Sequence, residues 1–218
     1  MILAAGRGVR MGALTRATPK PLLELAGQTL IERRLSSLAA SGIRTVIINL
    51  SYRGEQIREA VGDGSRFGLR VVYSHEGPEP LETAGGIVQA LPLLGRSPFV
   101  VVNADVVSDF DCATLKPGSG LGTLVLVPNP EHHPTGDYGI DADSRLTRAE
   151  PRYTFAGISL LSPDLFAGLE RGRRPLTDVF DAAIAAGTLR GIVHDGFWMD
   201  IGTPERLEIA RAAWPGGS

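Results

Sequence analysis

The sequence predicts an α/β fold with a mixed, mainly parallel central sheet and helices on both faces. Three observations predict it. Through the first half, short apolar or β-branched runs alternate with amphipathic helix patterns. The first apolar run feeds directly into a glycine-rich turn. After about Leu115 the pattern shifts to strand-like segments with little helix between them, as a mixed or antiparallel extension of the same sheet would require.

The elements follow in order. Met1–Ala5 reads as a buried strand. Thr29–Ser41 reads as a helix, with Thr29 and Glu32 forming a capping box, an apolar stripe at Leu30, Ile31, Leu35 and Leu38, and Gly42 as the stop. Ile43–Leu50 is a β-branched run suited to a central strand. Gly54–Val61 is a short helix, Leu69–His75 a strand, Thr83–Leu94 a helix, and Phe99–Asn103 an apolar strand ending at a polar tip. Leu121–Pro128, Tyr138–Asp141 and Phe155–Leu161 read as strands, Leu176–Ala186 as a helix and Leu189–His194 as a strand. A last helix spans Pro204–Ala213, capped by Thr203 with proline in its first turn. The expected organisation is one domain, 1–218, with halves 1–115 and 116–218.

Composition narrows the function. A chain of 218 residues buries roughly 70% of its unfolded surface and needs no staples. The net charge is −2, and the only basic cluster is Arg171, Arg173 and Arg174, so no nucleic-acid partner is expected. The run Met1–Ala5 is too short for a signal segment or a membrane span, so a cytoplasmic protein with no membrane partner is expected. The single cysteine, Cys112, excludes an internal disulfide and has no nucleophile context.

The densest chemical signal is Gly6-Arg7-Gly8-Val9-Arg10-Met11, then Leu14-Thr15, then Pro19-Lys20-Pro21. Glycines after a strand permit positive φ and let backbone N–H groups approach phosphates. Arg10 and Lys20 supply charge, and the flanking prolines restrict the Lys20 backbone. The Gly-Lys-Ser/Thr of a P-loop is absent. The dinucleotide fingerprint fails too, because Met11 replaces its third glycine and Asn49-Leu50-Ser51 offers no acid.

Asp105 follows the strand Phe99–Asn103, where open α/β sheets place ligands. A carboxylate beside a triphosphate needs a cation between them, and Mg²⁺ suits one or two carboxylates plus phosphate oxygens. Asp200, in Trp198-Met199-Asp200-Ile201-Gly202-Thr203, is the second metal candidate, since Thr203 is better placed as the helix cap. The sequence Asp105-Val106-Val107 lacks the Asp-x-Asp typical of a glycosyltransferase, and Asp109 and Asp111 read as solvated. Leu81-Glu82-Thr83-Ala84-Gly85-Gly86 suits either a base lying against small residues with N–H groups open to a ligand, or an ordinary helix start capped by Thr83. His132-His133 lacks a third zinc ligand and reads as a solvated turn, and Trp198 reads as packing.

Together, Leu3-Ala4-Ala5-Gly6-x-Gly8-x-Arg10-Met11-x-x-Leu14-Thr15 and Pro19-Lys20-Pro21 resemble the signature of the sugar-1-phosphate nucleotidylyltransferases, which make NDP-sugars. The resemblance implies a three-layer αβα, Rossmann-like nucleotidyltransferase fold, with nucleotide bound in 1–115 and sugar in 116–218. It implies an enzyme taking an NTP and a sugar 1-phosphate, with Arg10 and Lys20 acting on the phosphates and Mg²⁺ held by Asp105 and Asp200. Nucleotide contacts are implied for Ala4, Ala5, Gly6, Gly8, Glu82, Thr83 and Gly85, and sugar contacts for Asn103, Asp137, Glu150 and Gly157. One departure stands out: Glu150-Pro151-Arg152 lacks the lysine of a Glu-Lys-Pro motif.

Three further segments, Pro80–Ile87, Gly62–Leu69 and Ala90–Gly95, point among short members to UTP with N-acetylmuramic acid 1-phosphate, as used in cell-wall recycling. Mannose 1-phosphate with GTP, or glucose 1-phosphate with dTTP or UTP, are the runners-up. No β-helix or second catalytic segment is seen, so bifunctional acetyltransferase forms are not expected, and a monomer or small homo-oligomer is. The alternative of another class is a silent nucleotide-sugar sensor, disfavoured because Arg10, Lys20, Asp105 and Asp200 are all present.

Overall fold

A computed structural model describes residues 1–77 and 81–214. Its strands are β1 (Ile2–Leu3), β2 (Glu24–Leu25), β3 (Gln28–Thr29), β4 (Thr45–Leu50), β5 (Arg70–His75), β6 (Phe99–Asn103) and β7 (Val106–Ser108). Then come β8 (Gly122–Val127), β9 (Tyr138–Ile140), β10 (Leu146–Thr147), β11 (Arg152–Leu161), β12 (Leu189–Val193) and β13 (Trp198–Asp200). The α-helices are α1 (Leu14–Ala17), α2 (Leu30–Ala40), α3 (Gly54–Val61), α4 (Glu82–Leu94), α5 (Leu176–Ala185) and α6 (Pro204–Ala213). Every helix and long strand read from periodicity is present within a few residues. The very short strands β2, β3, β7, β10 and β13 are not legible as periodic runs.

The chain forms two compact units. The first takes Met1–Pro80, Asn103–Cys112 and Phe197–Ser218, and the second Leu81–Val102 and Ala113–Gly196. The sequence reading set a single boundary near residue 115. Packing instead interleaves the segments, because the short β7 and β13 pair with each other and so join chain from 106–108 to chain from 198–200.

In the first unit β1, β4 and β5 run parallel, with Ile2 opposite Ile48 and Thr45 opposite Arg70. The burial pattern of β4 leaves only Thr45 exposed, as expected of a strand covered on both faces. α2 starts at the expected capping box: the Thr29 side chain accepts from the Glu32 N–H, and the Glu32 carboxylate accepts from the Thr29 N–H at 2.9 Å. The helix buries Leu30, Ile31, Leu35 and Leu38. Leu30 shares a core with Met11, Leu25, Val107, Ile201 and Leu207, so the glycine-rich turn, β7 and α6 are anchored by one apolar cluster.

In the second unit β11 is central, antiparallel to β6, β8 and β9, while β12 joins β8 in parallel. α5 packs its Phe180 edge-on against Phe155 and Tyr138, with ring centroids 5.7 Å and 6.4 Å away. Cys112 is buried, and burial pushes its thiol above the usual range, as befits a passive core residue. Among the described residues no helix is long and apolar enough to cross a membrane.

The capping box gives a direct test. Thr29→Ala removes two of its hydrogen bonds at the start of α2 and should cost about 1 kcal/mol, read as a lower urea midpoint at unchanged m-value. An unaltered midpoint would mean that α2 is held by packing alone.

Candidate active site

The glycine-rich turn is fixed by three devices. Gly8 sits at φ 62° at the head of a 3-10 turn, Val9–Met11, and the Thr15 hydroxyl donates to its carbonyl at 3.0 Å. A Cβ on Gly8 would lie 3.1 Å from both Lys20 Cβ and Thr15 Cγ2, so conformation and crowding both require glycine there. Gly6 differs from the expectation. It does not use positive φ, and nothing lies within 4 Å of where its Cβ would be. Its missing side chain keeps the backbone open to the adjoining cavity.

The third device was not foreseen. The Ala4 N–H donates to Asn49 Oδ1 at 2.7 Å, and Asn49 Nδ2 donates to Glu76 Oε1 at 2.6 Å. Asn49 was noted only as the residue that breaks the dinucleotide fingerprint. Buried on the neighbouring strand, it locks the exit of β1. Ala4 is therefore buried with its N–H already spent, and Ala5 is half-buried.

Lys20 begins a 3-10 turn, Lys20–Leu22, after an extended Pro19, as the bracketing prolines suggested. It is 8% exposed, and its ammonium donates to Asp105 Oδ2 in an ion pair. Asp200 is brought beside Asp105 by strand pairing: Asp200 lies opposite Val106, and the Ile201 N–H donates to the Asp105 carbonyl at 2.8 Å. Asp200 Oδ1 in turn accepts from Arg206 Nη1 at 2.6 Å. Each carboxylate thus has a cationic partner.

Thr203 caps α6, its hydroxyl accepting from the Arg206 N–H at 3.4 Å, so Asp200 is not the helix cap. Arg206 escaped the sequence reading. Its only signal is a basic residue in the first turn of α6, where a helix normally prefers an acid. Gly202 makes the contact possible, since a Cβ there would fall 1.8 Å from Arg206 Nη2.

Lys20 and Asp105 face a cavity of about 280 Å³ lined also by Gly6, Gly8, Val9, Arg10 and Gly202, which lies two residues along from Asp200. Arg10 is exposed on the 3-10 turn. The arrangement offers two cations and a glycine-rich backbone to an anionic ligand, beside two carboxylates suited to a hard divalent ion. Among the described residues no cluster of three or more His, Cys, Asp or Glu side chains forms a metal site. A magnesium ion needs only one or two carboxylates when phosphate oxygens complete its shell.

In the second unit Glu82 opens α4 at φ 58° and is clasped by Arg173, whose Nε donates to Glu82 Oε1 at 2.7 Å. The helix start differs from both sequence readings. Its cap residue is Leu81 rather than Thr83, which is half-buried inside the helix. The Ala84 and Gly85 N–H groups, expected to be open to a ligand, both donate to the Arg174 carbonyl, at 3.1 Å and 3.2 Å. A Cβ on Gly85 would sit 2.2 Å from the Gly172 carbonyl oxygen, so close backbone packing accounts for this glycine. The arginine-rich loop is what fills the helix end. Pro80, at the head of the same segment, lies outside the described residues.

Gly157 is buried at φ 70°, where β11 shifts register against β8 between Phe155 and Ser159. The glycine therefore makes a bulge. Asp137 spends both oxygens locally: Oδ1 meets His133 Nε2 at 3.1 Å, and Oδ2 accepts from the Phe155 N–H at 2.8 Å. Glu150 is exposed and paired with Arg152, its Oε2 accepting from the Arg152 N–H at 3.0 Å. Arg152 is thus engaged by its own motif. Asn103 is half-buried at the end of β6.

A match of residues 1–141 to the family model described as nucleotidyl transferase places the chain in that class. The chain belongs to the nucleotidyltransferase family and is an enzyme of the kind that makes NDP-sugars. It is 44% identical over 228 residues to N-acetylmuramate alpha-1-phosphate uridylyltransferase of Neisseria meningitidis serogroup B, covering 98% of each chain. It is 31% identical to the protein of the same name from Caulobacter vibrioides, covering 97% of this chain and 95% of that one. In fold it resembles a putative glucose-1-phosphate thymidylyltransferase from Bacillus anthracis, with TM-score 0.84, 21% identity, and coverage of 97% and 92% of the two chains. The α/β fold with a mixed sheet is that of nucleotidyltransferases, as the sequence predicted.

The Asn49 bridge is testable apart from catalysis. Asn49→Ala leaves the buried Ala4 N–H without its acceptor and should cost about 1–3 kcal/mol of stability in urea unfolding. A change below about 0.5 kcal/mol, the usual range for surface substitutions, would show that the bridge is not needed to hold the turn.

Proposed function

We propose that the chain transfers the uridylyl group of UTP to N-acetylmuramic acid 1-phosphate, releasing pyrophosphate, in the cytoplasm and as a step of peptidoglycan recycling. The observation that carries this reading is the near full-length 44% identity to a relative named for that reaction. The cavity beside the glycine-rich turn supplies matching chemistry.

In this reading the backbone at Gly6 and Gly8 cradles the triphosphate, and Arg10 neutralises its outer oxygens. The sugar phosphate oxygen attacks the α-phosphorus in line, and pyrophosphate leaves with the bonding electrons. A phosphate nucleophile is already ionised near neutral pH, so no general base is required. Lys20, aimed by its proline bracket and held by Asp105, steadies charge as it shifts to the leaving group. Asp105 and Asp200 would hold Mg²⁺, which supplies charge neutralisation across the phosphates when bound. Arg206 orients Asp200 in the meantime. Glu82, Thr83 and Gly85 are proposed to border the base, and Asn103, Asp137, Glu150 and Gly157 the sugar. For Gly85 and Asp137 that contact would be secondary to the packing and hydrogen bonds above.

Pyrophosphate release over a grid of UTP, dTTP, GTP, CTP and ATP against several sugar 1-phosphates tests the substrate. The expected strong response is UTP with N-acetylmuramic acid 1-phosphate. A stronger response from mannose 1-phosphate with GTP, or from glucose 1-phosphate, would overturn the substrate and keep the mechanism. In the productive pair, Asp105→Asn should lower turnover about a hundredfold, the equivalent of ~3 kcal/mol of transition-state stabilisation. Turnover within threefold of the parent would remove Asp105 from the reaction.

A further inference from the structure

A second cavity in the first unit has a chemistry that nucleotidyl transfer does not use. It holds about 200 Å³ between α2 and β7, and Gln28, Arg33, Arg34, Ser37, Ser108 and Trp214 contribute to its lining. Arg34 projects from α2 and is only 3% exposed. Its Nη2 donates to the Val106 carbonyl, but its Nε, also buried, meets no acceptor among the described residues. Asp105 and Cys112 act on its charge, yet neither forms an ion pair with it among the described residues. Desolvation by burial holds its pKa below the ordinary arginine range.

The same cavity is lined by a second unsatisfied donor. Trp214 Nε1 is buried and meets no acceptor among the described residues. Its ring is held edge-on to Phe197, with centroids 5.2 Å apart, and under the Arg33 guanidinium at 5.2 Å. These two contacts set the orientation of the ring and so of its N–H. Among the described residues, two buried side-chain donors without a protein acceptor thus line one small cavity, alongside serine hydroxyls and two guanidinium groups. A buried donor left unmet is costly, and more so when it is charged. A water molecule would satisfy the N–H groups but would bring no negative charge into contact with Arg34.

We propose that this cavity is a binding site for a small oxyanion, inorganic phosphate in the first instance. Arg34 Nε and Trp214 Nε1 donate to its oxygens, and the serine hydroxyls complete the shell. The site is distinct from the cavity at the glycine-rich turn but adjoins the carboxylate strand. The same Arg34 guanidinium holds the Val106 carbonyl, one residue beyond Asp105.

The test uses the full chain with Trp198→Phe, which leaves Trp214 as the single tryptophan. Titration with inorganic phosphate should change Trp214 fluorescence saturably. The response should persist in Arg10→Ala, which disables the phosphate loop. It should weaken at least tenfold in Ser37→Leu, which adds bulk to the cavity from the α2 side while retaining the arginine at position 34, and in Arg34→Met. Circular dichroism checks that each variant is folded, and Ser37→Leu decides if Arg34→Met is not. No saturable response, one abolished by Arg10→Ala, or one that survives Ser37→Leu at unchanged affinity would overturn the proposal.

Discussion

The ion pair between Lys20 and Asp105 is the constraint from which the rest of the first unit follows. It joins two segments 85 residues apart in sequence. One arrives through the glycine-rich turn and a proline-bracketed 3-10 helix, the other at the end of β6. Lys20 is nearly buried, and an ammonium taken out of water without a partner would cost several kcal/mol. The carboxylate must therefore stand where the lysine ends. The packing that places each of them, the Met11–Leu25–Val107 core on one side and the β1–β4 ladder on the other, is held to that geometry.

A second cation–carboxylate pair repeats the logic a strand away. Arg206 reaches Asp200 only because Gly202 has no side chain and because Thr203 starts α6 in the right direction. The β7–β13 register then sets the two pairs side by side. On the proposed function, an anionic, phosphate-bearing substrate would meet cations on a fixed frame, with carboxylates close behind them. Positioning and charge neutralisation are what phosphoryl chemistry asks of a protein, so few groups need to be supplied by the chain.

Much of this was legible in the sequence. The capping box at Thr29 and Glu32, the Thr203 cap with Pro204, and the long strands all rest on local rules that tertiary structure had no cause to override. The candidate residues of the glycine-rich turn and the two aspartates were also readable, because each sits at a strand end in a distinctive local sequence. What stayed hidden depends on long-range partners. β7 and β13 have three residues each, too few for a period, and their register exists only in the pairing. Asn49 looked like a failed acid but is a bridge to Ala4 and Glu76. The amides of Ala84 and Gly85 looked open because the Arg174 carbonyl that takes them is some ninety residues away.

In the proposed reaction Lys20 and Asp105 act as one unit. A double-mutant cycle on pyrophosphate release, with Lys20→Met, Asp105→Asn and the pair together, measures this most directly. If the two act as a unit, the double variant should be no slower than about the worse single variant, because either change already dismantles the arrangement. If the two losses multiply instead, Lys20 and Asp105 contribute independently, and the ion pair is not the organising contact of the site.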